Sequence, residues 1–195
     1  MPARTALLLD IPDPYHQALY QDLDKRGYKI LTNRSLNTTV QQDDQPQLLI
    51  PTDIRKLQEW LDKNPAVIDC MISAASLAIQ IPPDDPVTYP PYHLYETILK
   101  VMNERGYGRI VNLYEGPGSK TGMSMPQLKA IASRYEALLR AQNILFNSVN
   151  IDNKHDLPPD RQEDIYGQRL ETILWLATTA EHEPTLEFFR GYRDS

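Results

Sequence analysis

The sequence has a single cysteine, Cys70, and no long apolar run. One cysteine cannot form the disulfide framework that holds many small secreted domains together. The longest apolar runs, ALLL at 6–9 and ILWLA at 173–177, fall far below the roughly 20 residues that a membrane helix needs. The N-terminal MPARTALLLD also lacks the basic and then apolar pattern of a signal peptide. We therefore expect no membrane association and a cytoplasmic location.

Runs of basic residues are missing as well. The chain has 20 Lys and Arg residues against 26 Asp and Glu residues, which gives a formal net charge of -6 at pH 7. Proteins that bind nucleic acid or anionic lipid through their surface usually present clustered Lys and Arg. We therefore expect no nucleic acid partner.

What is present is an alternation of short apolar runs with amphipathic segments. Six runs rich in branched residues are typical of buried strands: RTALLLD, GYKILT, QLLIP, AVIDCMIS, GRIVNLY and NILFNSV. Continuous apolar strands separated by helices favour a parallel sheet that is covered on both faces. The sequence predicts a doubly wound α/β fold with six or seven parallel strands, in one domain over residues 1–195.

Proline and glycine mark the predicted helix boundaries. Asp13 is the expected N-cap of the first helix, Pro14 suits the first helical position, and Gly27 is expected to end the helix. The segment IPPDDPVTYPPY at 81–92 is rich in proline, which excludes a regular helix there. Further helices are predicted from about residue 53, from about 92 to 105 and from about 124 to 140.

Several segments carry a family resemblance, and they occur along the chain in the family's order. NERGYGRIVNLYEGPG at 103–118 resembles the fifth-strand segment of the short-chain dehydrogenase/reductase family, and GYKILTNR at 27–34 resembles its second strand. VIDCMISAAS at 67–76 is similar to the segment that usually ends in Asn-Asn-Ala-Gly. The tail at 171–194 resembles that of carbonyl-reductase-like members. The resemblance implies a reduced Rossmann-like sheet and an ancestry in NAD(P)-dependent redox chemistry.

The glycine motif of that family is absent. Its phosphate turn is Gly-x-x-x-Gly-x-Gly, and the three glycine positions correspond here to Asp10, Pro14 and His16. Glycine lets backbone N–H groups approach the pyrophosphate closely. Pro14 removes a donor, and the Asp10 carboxylate would repel a phosphate by on the order of 1 to 4 kcal/mol at about 4 Å. We therefore expect the ordinary dinucleotide pose to be lost and no cofactor to bind.

The catalytic positions implied by the resemblance have changed too. The family's serine falls on Glu115, and the tyrosine of its Tyr-x-x-x-Lys motif falls on Met125, while Lys129 is retained. A thioether cannot donate the proton that the tyrosine donates. The chain is identified as a degenerate member, a pseudoenzyme that serves as a binding or scaffolding protein for a small molecule or a partner protein.

Two alternatives stay open at these positions. Glu115 as a base and Lys129 as an electrostatic stabiliser could serve a non-redox enzyme, such as a cyclase, isomerase or lyase, in the former active-site cleft. The same two residues could instead form an ion pair with no chemistry. Arg34 follows the second strand where NADP-preferring members carry a basic residue, so an atypical NADP-dependent oxidoreductase is the other alternative, and an inherited surface arginine is the plainer interpretation of Arg34.

Other candidates have plainer interpretations. Asp10, Asp13 and His16 carry metal-ligand chemistry, but their spacing matches no strong motif, so no metal site is expected. Cys70 lies in an apolar run and is expected to be a buried, inert thiol. Five tyrosines are interpreted either as the lining of a pocket near the active site or as ordinary core and surface residues: Tyr89, Tyr92, Tyr95, Tyr107 and Tyr114.

The resemblance also implies an oligomeric state. In the family, the helices that correspond to about 92–105 and 124–140 usually pair with a second subunit. We therefore expect a homodimer through these two helices.

Overall fold

The computed structural model describes residues 4–33, 48–49, 54–63, 68–74, 90–115, 125–151, 159–180 and 185–189. Its strands are β1 (Thr5–Leu9), β2 (Lys29–Thr32), β3 (Leu48–Leu49), β4 (Cys70–Ser73), β5 (Gly108–Tyr114), β6 (Ile144–Asn150) and β7 (Phe188–Phe189). Its helices are α1 (Asp13–Lys25), α2 (Ile54–Lys63), α3 (Pro90–Arg105), α4 (Met125–Ala141) and α5 (Pro159–Thr178).

The seven strands form one parallel sheet in the order β3-β2-β1-β4-β5-β6-β7. β1 lies between β2 and β4, so that Leu8 faces Thr32 on one side and Ile72 on the other. The chain winds outward in one direction from β1 to β3 and in the other direction from β4 to β7. This is the predicted doubly wound architecture, and the predicted number and direction of the strands are confirmed.

Both faces of the sheet are covered by helices. Leu7 and Leu9 point into one apolar cluster with residues of α2, α3 and α4, while Ala6 and Leu8 point into a second cluster with residues of α1 and α5. Because neighbouring side chains of a strand point to opposite faces, a strand covered on both sides must be apolar throughout. This explains the run ALLL, in which every side chain is fully buried.

One predicted N-cap and one predicted exclusion of helix are wrong, and proline explains both. The N-cap of α1 is Pro12, Asp13 is the first helical residue and Pro14 the second. α3 begins at Pro90, inside the segment from which a helix was excluded. The first N–H groups of a helix have no partner within it, so proline there removes no helical hydrogen bond. The end of α1 is as predicted, since Gly27 follows it with a φ of 78°.

No helix among the described residues is both long and apolar enough to cross a membrane.

Candidate functional site

The candidate site lies at the carboxyl edge of the sheet. Asp10, Asn33, Ala74, Glu115 and Ile151 directly follow β1, β2, β4, β5 and β6. Because the strands are parallel, these residues meet at one edge. The strand order reverses there between β1 and β4, and ligands of doubly wound sheets bind at such a switch point.

Asp10 and Asn33 are joined by two hydrogen bonds. The backbone N–H of Asp10 donates to Asn33 Oδ1 at 2.9 Å, and Asn33 Nδ2 donates to Asp10 Oδ1 at 2.8 Å. Asn33 is buried and Asp10 half-buried. The pair therefore ties the end of β1 to the end of β2, beside the start of α1.

The backbone of Asp10 is left-handed, with a φ of 51°. Glycine takes this conformation without a steric penalty, whereas a residue with a Cβ pays roughly 1 to 2 kcal/mol, less for Asp and Asn. The turn thus keeps a backbone shape that suits glycine although it carries a side chain. The two hydrogen bonds with Asn33 help to offset that cost.

The backbone donors of the following turn are largely used or absent. Pro12 and Pro14 have no N–H. The N–H groups of Tyr15 and His16 donate to the carbonyl oxygen of Pro12, at 3.0 and 2.9 Å. An anion at a helix N-terminus is normally held by the first N–H groups, of which Tyr15 is one, whereas the bond of His16 to Pro12 is the first regular bond of the helix. We call the segment Asp10–His16 together with Asn33 the closed turn.

His16 is buried and faces β2. Its Nε2 lies 3.0 Å from Thr32 Oγ1, which links α1 to the end of β2. The resemblance placed the third glycine of the motif here, and glycine at that point permits a close approach of helix and strand. In this chain an imidazole fills that space and is hydrogen-bonded within it.

Helix α5 packs on the outer side of the same turn. The hydroxyl of Tyr166 donates to the carbonyl oxygen of Pro14, and its ring centroid lies 4.8 Å from that of Tyr15. Burial raises the pKa of Tyr15, and the hydrogen bond and charge of buried Arg169 act in the opposite direction. The start of α1 is therefore contacted by β2 through Thr32 and by α5 through Tyr166.

The three predicted catalytic positions lie at the same edge but on different elements. Glu115 is half-buried directly after β5. Met125 begins α4 and packs against the apolar cluster of α2, α3 and α4. Lys129 is exposed one turn further along α4. The loop between Glu115 and Met125 lies outside the described residues, so the pairing of Glu115 with Lys129 stays a prediction.

Three further predictions from the sequence concern Cys70, Arg34 and a metal ion. Cys70 is fully buried, as predicted, and burial raises its pKa to about 12, which disfavours the reactive thiolate. Arg34 lies outside the described residues. Within the part of the chain that the structure describes, no three His, Cys, Asp or Glu side chains are grouped to hold a metal ion.

Of the five candidate tyrosines, the three described ones are packed in the core or lie at the opposite end of the sheet. Tyr95 and Tyr114 are buried in the core, and the Tyr95 hydroxyl donates to Asn112 Oδ1. Tyr107 lies at the opposite end of the sheet, just before β5, so its placement near the active site is wrong. Tyr89 and the side chain of Tyr92 lie outside the described residues.

A buried arginine organises that opposite end. Arg109 is fully buried, and its guanidinium donates to the carbonyl oxygens of Thr179 at 2.9 Å, Gly108 at 2.8 Å and Asn143 at 2.9 Å. Its central carbon also lies 4.2 Å from the ring centroid of Tyr107. Arg109 therefore joins the starts of β5 and β6 to the end of α5.

Comparison with known proteins rests on structure alone. No family model matches the chain, and no curated protein sequence matches it. Solved structures do match, with TM-scores of 0.59 and 0.61 for two short-chain dehydrogenases, from Brucella ovis with a partially ordered NAD and from Leptospira borgpetersenii with bound NAD+. The chain is 13% and 11% identical to them, and the matches cover 96% of this chain and 98% and 90% of theirs. YwfH, an NADPH-dependent reductase involved in bacilysin biosynthesis, matches with a TM-score of 0.62 at 13% identity, over 96% of this chain and 97% of its own.

The chain has the short-chain dehydrogenase/reductase fold. The fold expected from the sequence segments is thereby confirmed over nearly the whole chain. In this fold the β1–α1 turn faces the carboxyl edge, where the closed turn lies.

Sequence reasoning missed two residues that matter for this arrangement. Asn33 was not predicted as a site residue because it looks like an ordinary loop residue beside Arg34. Its position directly after β2, next to the end of β1, was the signal that could have found it. Arg109 is the single charged residue in the apolar run GRIVNLY, and a charge in such a run was the signal that could have found it.

Proposed function

We propose that this protein uses the short-chain dehydrogenase/reductase fold without the dinucleotide chemistry, as a binding or scaffolding protein. It would hold a small molecule or a partner protein at the carboxyl edge. The observation that carries the proposal is the closed turn, in which Asn33 binds both the backbone N–H and the carboxylate of Asp10.

The backbone chemistry of the turn supports this proposal. A pyrophosphate needs several N–H donors at the start of a helix and a close backbone approach. Pro12 and Pro14 lack an N–H, the N–H of Tyr15 is already bonded to Pro12, and the carboxylate of Asp10 is negatively charged, so each opposes phosphate binding. The prolines remove donors, the hydrogen bond to Pro12 occupies a donor, and the carboxylate repels the phosphate. These three unfavourable contributions to phosphate binding add together.

The chemistry at the catalytic positions supports it as well. The resemblance places Met125 at the position of the proton-donating tyrosine, and this thioether packs against the core. A carbonyl reduction needs a proton donor beside the substrate oxygen. The test is turnover: the purified protein with NADPH or NADH and a panel of aldehydes and ketones is expected to show no nicotinamide oxidation above background. Steady oxidation that depends on the carbonyl substrate would overturn the proposal.

A second candidate is a non-redox enzyme that uses Glu115. A half-buried carboxylate directly after a central strand is suitably placed for a general base at the ligand-binding edge. Lys129 on α4 would supply the positive charge. Glu115→Gln and Lys129→Ala are expected to abolish any cyclase, isomerase or lyase activity that is detected, while Lys100→Ala on exposed α3 is the control. Unchanged activity in both variants would remove this candidate.

The atypical NADP-dependent oxidoreductase remains the third candidate. NAD bound in two structural neighbours and the NADPH dependence of YwfH favour it. It requires a nucleotide pose that avoids the closed turn. Direct binding measurements separate it from the first proposal.

We also propose a homodimer through α3 and α4, and a cytoplasmic location. The dimer rests on the family resemblance of these two helices. The outer sides of both helices are exposed in the monomer and are linked by an ion pair between Arg134 and Glu96 at 3.4 Å. The cytoplasmic location stays a prediction from the sequence.

A further inference from the structure

We infer that the Asp10–Asn33 pair is a lock that excludes anionic ligands from the start of α1, so that loss of the backbone donors is not the only reason for their exclusion. This inference rests on the proposed function and names the device behind it. Two different features of the closed turn oppose phosphate binding, and the structure separates them. One is the lock between β1 and β2, and the other is the pair of prolines in the turn.

The lock consists of the two hydrogen bonds between Asp10 and Asn33. Asp10 is three residues before the first residue of α1, so its carboxylate stands at the strand end from which an anion would approach the helix. Asn33 Nδ2 holds one oxygen of that carboxylate, and Asn33 Oδ1 occupies the backbone N–H of the same residue. A single side chain therefore fixes an anion in place and also uses a donor that a phosphate could take.

The left-handed backbone of Asp10 makes the lock testable by one substitution. Asp10 has a φ of 51°, which glycine adopts without strain, so a glycine at this position needs no change of backbone conformation before a ligand can approach. Asp10→Gly removes the carboxylate and leaves this conformation favourable. Asn33 is buried beside it, so the side chain that completes the lock is largely shielded from water.

The experiment separates the lock from the prolines by combining variants. Asp10→Gly opens the lock, Pro12→Ala with Pro14→Ala restores two donors, and the triple variant does both. Asp10→Asn is the matched control, because it removes the charge and keeps an acceptor for Asn33 Nδ2. Calorimetric titration with inorganic pyrophosphate and with NADPH is carried out on each variant, after thermal melting has shown that it folds.

The lock predicts that the triple variant binds pyrophosphate at least about tenfold more tightly than the double proline variant, which corresponds to about 1.4 kcal/mol. The double proline variant with Asp10 intact is expected to bind no better than the wild type. Equal binding by the double proline variant and the folded triple variant would overturn the inference, as would no binding by either. If Asp10→Asn in the double proline background gains as much as Asp10→Gly does there, charge alone explains the exclusion and the lock is wrong. Wild-type binding of NADPH would instead refute the proposed function, so the two failures are distinguishable.

Discussion

Asn33 donates a hydrogen bond to the carboxylate of Asp10 and accepts one from the backbone N–H of the same residue, at 2.8 and 2.9 Å. This exchange joins the ends of two neighbouring strands at the place where doubly wound sheets bind their ligands. Its first consequence concerns stability.

The two side chains are expected to be energetically coupled. Asp10→Ala and Asn33→Ala each leave a polar group without its partner, and alanine at position 10 also pays for the left-handed backbone. A double-mutant cycle in urea should give a coupling energy of about 1 kcal/mol. Asp10→Ala combined with Lys25→Ala, at the far end of α1, is the control and should be additive. Additive effects for Asp10 and Asn33 would show that the hydrogen bonds contribute nothing to folding.

Arg109 should be the most sensitive charged residue of the described part of the chain. Arg109→Met leaves the carbonyl oxygens of Thr179, Gly108 and Asn143 without this donor in a buried place. We expect a loss of about 3 to 5 kcal/mol in the free energy of unfolding. Lys25→Met at the exposed end of α1, away from the proposed interface, is the control and should change it by less than about 1 kcal/mol.

If Arg109→Met does not fold, Arg109→Lys supplies the stability measurement instead. Lysine keeps the charge and loses the forked donor geometry, so an intermediate loss is expected. If Arg109→Met unfolds at the same urea concentration as the wild type, the buried network has no structural role.

Two glycines give a matched pair of backbone tests. Gly27 has a φ of 78° and Gly167 lies within α5, and a Cβ added at either position meets no atom within 4 Å. Gly27→Ala should therefore lower the free energy of unfolding by about 1 to 2 kcal/mol through strain alone. Gly167→Ala should raise it by about 0.5 to 1 kcal/mol, because alanine favours a helix. Equal effects of the two substitutions would contradict the assigned backbone conformations.

The proposed homodimer is tested by mass in solution. Light scattering after size exclusion at micromolar concentration should give twice the mass of 22.4 kDa. Ala137→Arg places a charge on the exposed face of α4 and should produce a monomer, whereas Gln17→Arg on exposed α1 should not. A monomeric wild type, or a dimer that Ala137→Arg leaves intact, would remove α3 and α4 as the interface.

Most of the fold could be predicted from the sequence because its signals are local. Runs such as ALLL identify strands that are buried on both faces, and Gly27 ends a helix through its own backbone freedom. The start of α3 was missed because the same proline breaks a helix in its interior and begins one at its first turn. Pattern alone does not distinguish these two positions.

The site was less predictable because its contacts are not local. Asp10 was recognised as a replacement for glycine, but its partner Asn33 is 23 residues away and carries no motif. Tyr166, which contacts Pro14, is 152 residues away. Such contacts depend on which strands and helices become neighbours, and only the assembled sheet shows that.

The proposed function depends above all on one property, that the closed turn does not accept a dinucleotide. The most direct measurement is calorimetric titration of the folded wild-type protein with NADPH and with NADH, each extended to millimolar concentration. We expect no saturable heat for either nucleotide. Saturable binding of either one in the micromolar range would contradict it.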